Sequence, residues 1–165
     1  MKHLSLTQKK WWLTAHILFS AIWLGVTVTF LILSISVLMT NDIGTIKAYY
    51  LSMLRLEQTA GRVSIIGTVI TGFLLSILTK WGLLKFYWII FKEIITLICM
   101  ALGFLFIYFW TLKGFNDSDK FLSDAFFVNH YQLMTGIVLQ IIFLTTLFII
   151  SVFKPWGQRM KKNEI

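Results

Sequence analysis

The sequence lacks charged residues over four long stretches. Only 13% of its 165 residues are charged, whereas 58% are hydrophobic, a balance that a water-soluble domain of this size does not have. No Asp, Glu, Lys or Arg occurs in residues 11–41, 63–79, 94–112 or 125–153. A helix needs about 20 mainly apolar residues to cross a bilayer. The sequence therefore predicts a single all-α domain, an integral membrane four-helix bundle.

We predict helices over residues 11–39, 50–79, 84–112 and 125–153, followed by a basic cytoplasmic tail at residues 154–165. The single proline, Pro155, cannot continue the last helix and should end it. The amphipathic segment before the second charge-free stretch either lies on the outer interface or extends the second helix beyond the bilayer. The first stretch is too long for the core of a signal peptide and lacks a cleavage site of the A-x-A kind, so we expect a retained span.

Cysteine and common catalytic motifs are also scarce. Cys99 is the only cysteine, so an internal disulfide is excluded and the thiol content does not indicate a compartment. The sequence contains no Walker loop, G-x-S-x-G, H-E-x-x-H or C-x-x-C motif, which disfavours nucleotide and hydrolase chemistry. The net charge of +8 is explained by the loops, so we expect a lipid bilayer and no nucleic acid as partner.

The cations of the loops predict an orientation in the plasma membrane. One end of the bundle carries nine Lys and Arg residues, and the other carries four together with five acidic residues. Cytoplasmic loops of membrane proteins carry the excess of Lys and Arg. Both termini should therefore be cytoplasmic, and the acidic loop "NDSDKFLSD" should face outward.

Each predicted helix carries one stripe of polar or small residues, and in lipid such residues turn inward. These stripes should meet inside the bundle; small residues there allow close helix packing and need no ligand. The stripes are His16, Ser20, Trp23, Thr27 and Ser34; Gly61, Ser64, Thr68, Gly72, Ser76 and Thr79; Trp88, Lys92, Thr96, Cys99 and Gly103; and Asn129, Gln132, Gly136 and Gln140.

Two ionisable residues of these stripes stand out, because both are expected near the cytoplasmic side at a similar depth. His16 lies about one helical turn inside the Trp11–Trp12 pair, and Lys92 lies near the start of the third helix. His16 is either a ligand or a packed ring bonded to a backbone carbonyl, and Lys92 either faces His16 or reaches to the interface. Arg62 should cap the second helix at the outer boundary, and His130 should lie at the outer interface.

The same residues carry a family resemblance. The chain resembles a family of small four-span bacterial membrane proteins of unknown function and, more distantly, copper-resistance D-type proteins and HemJ-type protoporphyrinogen oxidases. The likeness rests on short motifs in three helices: His-x6-Trp-x-Gly in the first, an Arg ahead of a Gly/Thr-rich run in the second, and Trp-x3-Lys in the third. These are His16, Trp23 and Gly25; Arg62, Gly67, Thr71 and Gly72; and Trp88 and Lys92.

The resemblance implies b-type haem at His16 and Lys92. His16 can donate a ring nitrogen to iron, whereas Lys92 can ligate as a free amine or pair with a propionate. Trp23, Trp88 and Arg62 complete the candidate cofactor-binding set. A haem protein of this kind would exchange electrons with a quinone or another membrane redox partner. The alternatives are a non-catalytic membrane subunit and a small-solute or copper transport protein without haem.

We also expect self-association. Two pairs of small residues on the second helix, Gly67/Thr71 and Gly72/Ser76, can pack against a second copy and form a homodimer.

Overall fold

The computed structural model describes residues 5–78 and 82–156, which form an all-α bundle of four long helices. They are α1 (Leu6–Leu38), α2 (Ile43–Leu78), α3 (Tyr87–Asn116) and α4 (Asp124–Phe153). Each is long and apolar enough to cross a membrane. The predicted fold class is confirmed, and the chain is a multi-pass membrane protein. The loop residues Lys80 and Trp81 and the tail from residue 157 onward lie outside the described residues.

Short polar residues set the helix ends. Ser5 and Gln8 form a capping box at the start of α1, and Asp42 accepts a hydrogen bond from the Thr45 amide at the start of α2. These caps satisfy backbone N–H groups that have no partner within a helix. At the C-terminal end of the bundle, α4 ends at Phe153, and Lys154 takes a left-handed conformation (φ 46°) immediately before Pro155.

The second helix begins earlier than the sequence indicated. It starts at Ile43 rather than near residue 50, so the amphipathic segment extends the helix instead of lying apart from it. One face of this extension, which includes Tyr50, Met53 and Glu57, is buried against the other helices. The prediction that Arg62 caps the start of the helix is therefore wrong, because Arg62 lies in the middle of a continuous helix.

The four helices pack in a closed ring. Helix α1 lies against α2 and α4, and α3 lies against the same two helices. The α1–α2 turn and the α3–α4 loop share one end of the bundle, where the Lys47 ammonium bonds both oxygens of Asp119 at 2.8 and 2.9 Å. This shared end is the one that the charge pattern predicts to face outward, and we refer to it as the outer end.

The polar stripes point largely inward while apolar side chains cover the outside. Trp23, Thr27 and Ser34 of α1 are buried, as are the stripe residues Cys99 and Gly103 of α3. Large hydrophobic side chains such as Leu105 (63% exposed) face outward, as lipid contact requires. Gln132 is the exception among the stripe residues of α4, since it is exposed although we expected it inside.

Two helices contain a π-helical segment at the same height. Residues Glu57–Gly61 of α2 and Leu102–Ile107 of α3 each widen the helix by one residue per turn. Such segments are uncommon and occur often at functional sites. The two segments face one cavity in the interior of the bundle, which is lined by Gly61, Gly103 and Ile107 together with residues of α1 and α4.

Candidate functional site

The His16 ring is held against α2 through one nitrogen. Nδ1 lies 3.2 Å from the Thr68 carbonyl oxygen and 3.0 Å from Thr71 Oγ1. The carbonyl can only accept, and the Thr71 hydroxyl already donates to the Gly67 carbonyl at 2.6 Å, so Nδ1 must carry the proton and donate. In the neutral ring the lone pair is then on Nε2.

Nε2 of His16 has no hydrogen-bond partner within residues 5–78 and 82–156. An imidazole with Nδ1–H on a carbonyl and a free Nε2 lone pair is the arrangement that metal-ligating histidines adopt. The ring lies over Gly72, where an added Cβ would come within 3.1 Å of Cε1. A side chain at position 72 would therefore crowd the His16 ring.

Lys92 lies in the same half of the bundle as His16, away from the outer end, but bonds a different helix. Its ammonium donates to Ser151 Oγ on α4 at 2.5 Å and lies 5.8 Å from the centroid of the Trp88 ring. No hydrogen bond joins the Lys92 and His16 side chains within the described residues. The structure therefore brings the two predicted residues into one half of the bundle, each held by its own partner.

The remaining candidates for cofactor binding are separated from His16. Trp88 is buried beside Ile89 and Ile150, toward the end of the bundle opposite the outer end. Trp23 lies two turns beyond His16 and is 2% exposed. Arg62 lies further toward the outer end, where Nε donates to Glu57 Oε1 at 3.2 Å and the guanidinium covers the Tyr108 ring at 5.5 Å. The five residues therefore do not converge on a single site.

The interior cavity between the π-helical segments has a mainly apolar lining that includes three buried polar side chains. It measures about 30 Å³, and its lining includes Trp23, Glu57 and Gln140, which are 2%, 6% and 3% exposed. Each contributes one buried polar atom without a hydrogen-bond partner among the described residues: Trp23 Nε1, Glu57 Oε2 and Gln140 Oε1. Buried polar atoms are normally paired, so three orphaned atoms at one cavity indicate a site for a ligand or water.

A second, larger cavity opens on the outside of the bundle between α3 and α4. It measures about 430 Å³ and is lined mainly by apolar and aromatic groups, with Gln132 and Thr135 as polar members. The exposed Gln132 side chain lies in this groove. Neither of the two cavities touches His16 or Lys92.

His130 belongs to a buried network near the outer end, which corrects its predicted interfacial position. It is fully buried, with Nε2 donating to the Ser34 carbonyl at 3.1 Å and Nδ1 accepting from the Tyr50 hydroxyl at 2.7 Å. The Phe126 ring stacks on it at 6.1 Å. Both nitrogens are occupied, so this histidine ties α1, α2 and α4 together.

The role of Glu57 could not be predicted from its spacing. Glu57 and Arg62 are five residues apart, whereas helical ion pairs form at a separation of three or four. The pair depends on the π-helical turn, which brings the two side chains together. The only available signal was an acidic and a basic residue at the edge of a charge-free stretch.

Comparison of the chain with protein-family models, with curated proteins and with solved structures gave no match.

Proposed function

We propose that this multi-pass membrane protein binds b-type haem through Nε2 of His16 and takes part in membrane electron transfer. The observation that carries the proposal is the bonding of the ring, because Nδ1 is fixed on the Thr68 carbonyl and the lone pair of Nε2 is left without a partner. Haem, when bound, would supply a reversible one-electron couple. His16 would hold the iron, and Lys92 would act as second ligand or bond a propionate.

The donor atoms of His16 and Lys92 suit haem binding, but the packing around the His16 ring leaves no space for a porphyrin. The His16 ring lies directly on Gly72, and neither described cavity reaches it. A porphyrin needs a slot of several hundred cubic ångströms. Haem binding therefore requires the cytoplasmic halves of the helices to separate, and Lys92 to leave Ser151 if it ligates.

A visible absorption spectrum tests the proposal. The full chain, expressed with ample haem and purified in detergent, should show a Soret band. His16→Ala should abolish haem retention while the protein still inserts, and Lys92→Met should alter the spectrum or loosen the haem. Thr14→Ala, an exposed position on the same helix, is the matched control and should leave the spectrum unchanged. A wild-type protein without Soret absorption would remove the haem proposal.

We further propose the plasma membrane as the location, with both termini cytoplasmic, on the strength of the cation distribution. Reporter fusions at the C-terminus and in the loop at residues 117–123 test the orientation. Alkaline phosphatase activity from the C-terminal fusion would reverse it.

A quinone or another membrane redox partner remains the proposed electron partner. The homodimer is also still a proposal, but the residues first suggested for it are used within the chain. Gly67 packs on the Phe19 ring and Gly72 on His16, so a dimer would have to use another face. Crosslinking in native membranes tests it.

The competing function is that of a membrane subunit or a small-solute or copper transport protein without haem. In the described residues no group of three or more His, Cys, Asp or Glu side chains is placed to hold a metal, which disfavours copper among these alternatives.

A further inference from the structure

The interior cavity lies at the centre of the charge-free part of the bundle. Its lining includes Thr27, Gly103 and Gln140, which are within about one residue of the midpoints of the charge-free stretches 11–41, 94–112 and 125–153. Polar groups at such a depth are costly in lipid and usually serve a function. Glu57 and its partner Arg62 are placed at this height by α2, so a carboxylate reaches the middle of the membrane domain.

The three orphaned atoms have complementary hydrogen-bonding roles. Trp23 Nε1–H can only donate, and Glu57 Oε2 accepts when the carboxylate is ionised. Gln140 contributes its amide, whose oxygen is buried without a hydrogen-bond partner among the described residues. The amide lies beside Gly103, since a Cβ added there would be in ordinary van der Waals contact with Nε2 at 3.5 Å. An occupant must therefore both accept from the tryptophan and donate to the oxygens.

The chemistry and size of the cavity select water. A water molecule needs about 10–15 Å³ and two to four polar partners, so a cavity of about 30 Å³ accommodates about two. A bare cation would face the indole N–H, and an anion would face the Glu57 carboxylate. Water alone accepts from Trp23 and donates to Glu57 and Gln140.

We propose that this cavity is a hydrated intramembrane site in which one or two water molecules bridge Trp23, Gln140 and Glu57. The inference is independent of haem binding at His16.

Glu57 is the single acidic residue among those that line the cavity. Helix α2 contributes Arg62, which bonds Oε1 and leaves Oε2 to the water, and α3 contributes Tyr108 beneath the guanidinium. Helices α1 and α4 present only groups that do not titrate, namely Trp23, Thr27 and Gln140.

Apolar clusters lie on both sides of the cavity along the bundle axis. On the cytoplasmic side these are Cys99, Leu144 and Leu147, and on the outer side Phe30, Leu133 and Ile137. The hydrated site is therefore separated by apolar layers from His16 on one side and from His130 on the other. Exchange of this water with either end requires one of these layers to open.

Hydroxyl-radical labelling tests the water. X-ray radiolysis of the wild-type chain in lipid nanodiscs produces radicals from bound water, and mass spectrometry measures oxidation of each tryptophan. Trp23 should be oxidised several-fold faster than Trp88, a tryptophan of comparable burial (2% and 8% exposed) that does not line the cavity. Gln140→Leu, which removes a partner and fills the space, should slow Trp23 to the rate of Trp88. Equal rates for the two tryptophans in the wild-type chain would overturn the hydrated site.

Infrared difference spectroscopy tests the part of Glu57 in holding the water. Exchange of H₂¹⁶O for H₂¹⁸O should reveal an O–H stretching band of internal water that is shifted or lost in Glu57→Gln. Glu93→Gln is the matched control, since Glu93 also has a buried oxygen without a partner but does not line the cavity, and it should retain the band. Loss of the band in Glu93→Gln and its retention in Glu57→Gln would contradict the proposal.

Discussion

The two described histidines occupy opposite halves of the bundle and are bonded in opposite ways. His130 is fully buried and uses both ring nitrogens, one on α1 through Ser34 and one on α2 through Tyr50. His16 is half-buried and uses one nitrogen, on α2 alone. A ring with both nitrogens occupied fixes helices relative to each other, whereas a ring with a free lone pair can bind something else.

This difference gives His130 a structural role, although its position in the sequence suggested an interfacial residue. A histidine six residues into the outer end of α4 resembles an interfacial residue. The early start of α2 places Tyr50 beside it and closes the outer half of the bundle. The outer half is thus held together by His130, and the opposite half contains the ring that is available for chemistry.

The largest expected effect is on the stability of the outer half, where His130 joins three helices. His130→Ala should lower the free energy of unfolding by about 3 kcal/mol, because it leaves a cavity and two unpaired buried groups. His16→Ala should cost clearly less, since its partner carbonyl and hydroxyl remain bonded within α2. Equilibrium unfolding in mixed micelles measures both. Equal losses would remove the distinction between the two regions.

A smaller effect is expected where α1 meets α2 next to His16. Gly67→Ala would bring a Cβ to 2.6 Å from the Phe19 ring, and overpacking of this kind costs about 1–3 kcal/mol. Gly25→Ala is the matched control, because nothing lies within 4 Å of its added Cβ and a helical Gly→Ala change gains up to about 1 kcal/mol. The same unfolding assay should give opposite signs; a stabilised Gly67→Ala protein would show that the contact is loose.

Removal of single hydroxyl groups should sharpen the comparison further. Tyr50→Phe leaves Nδ1 of His130 without a donor and should cost about 1 kcal/mol, within the range for hydrogen bonds inside membrane proteins. Thr71→Val leaves His16 Nδ1 on the Thr68 carbonyl and should cost less. The free energies of unfolding of the two variants decide the order, and a costlier Thr71→Val would show that the half containing His16 is the more tightly held.

The smallest effect is a pH dependence at the outer end. Hydrogen bonds from the Thr45 hydroxyl and amide hold the pKa of the exposed Asp42 below its usual range. A carboxylate with a lowered pKa stabilises the fold above its unfolded pKa and loses that contribution as the pH falls through the folded value. The unfolding midpoint should therefore decline slightly in acid, and less in Asp42→Asn, which still caps the helix. Identical pH profiles for the two proteins would assign the decline to other groups.

Much of the fold could be predicted because lipid imposes a simple rule on the sequence. Charge-free stretches of sufficient length become helices, and the ends near Pro155 and in the Asp117–Ser123 loop follow from residues that break or cap helices. The inward stripes were confirmed for Trp23, Thr27 and Cys99, because polar and small residues leave the lipid face. The depth of His16 and its location in the same half as Lys92 were also inferred from counting along alternating helices.

The partners of these side chains could not be predicted. The sequence alone determined that the chain forms four apolar helices with polar stripes inside, because burial in lipid depends on composition and period. Only the tertiary structure decided that His16 bonds α2 through one nitrogen, that His130 uses both, and that Glu57 reaches a central cavity with Trp23 and Gln140. These contacts depend on the relative rotation and height of the helices and on two π-helical turns, which shift the register of side chains by an amount that no periodicity in the sequence records.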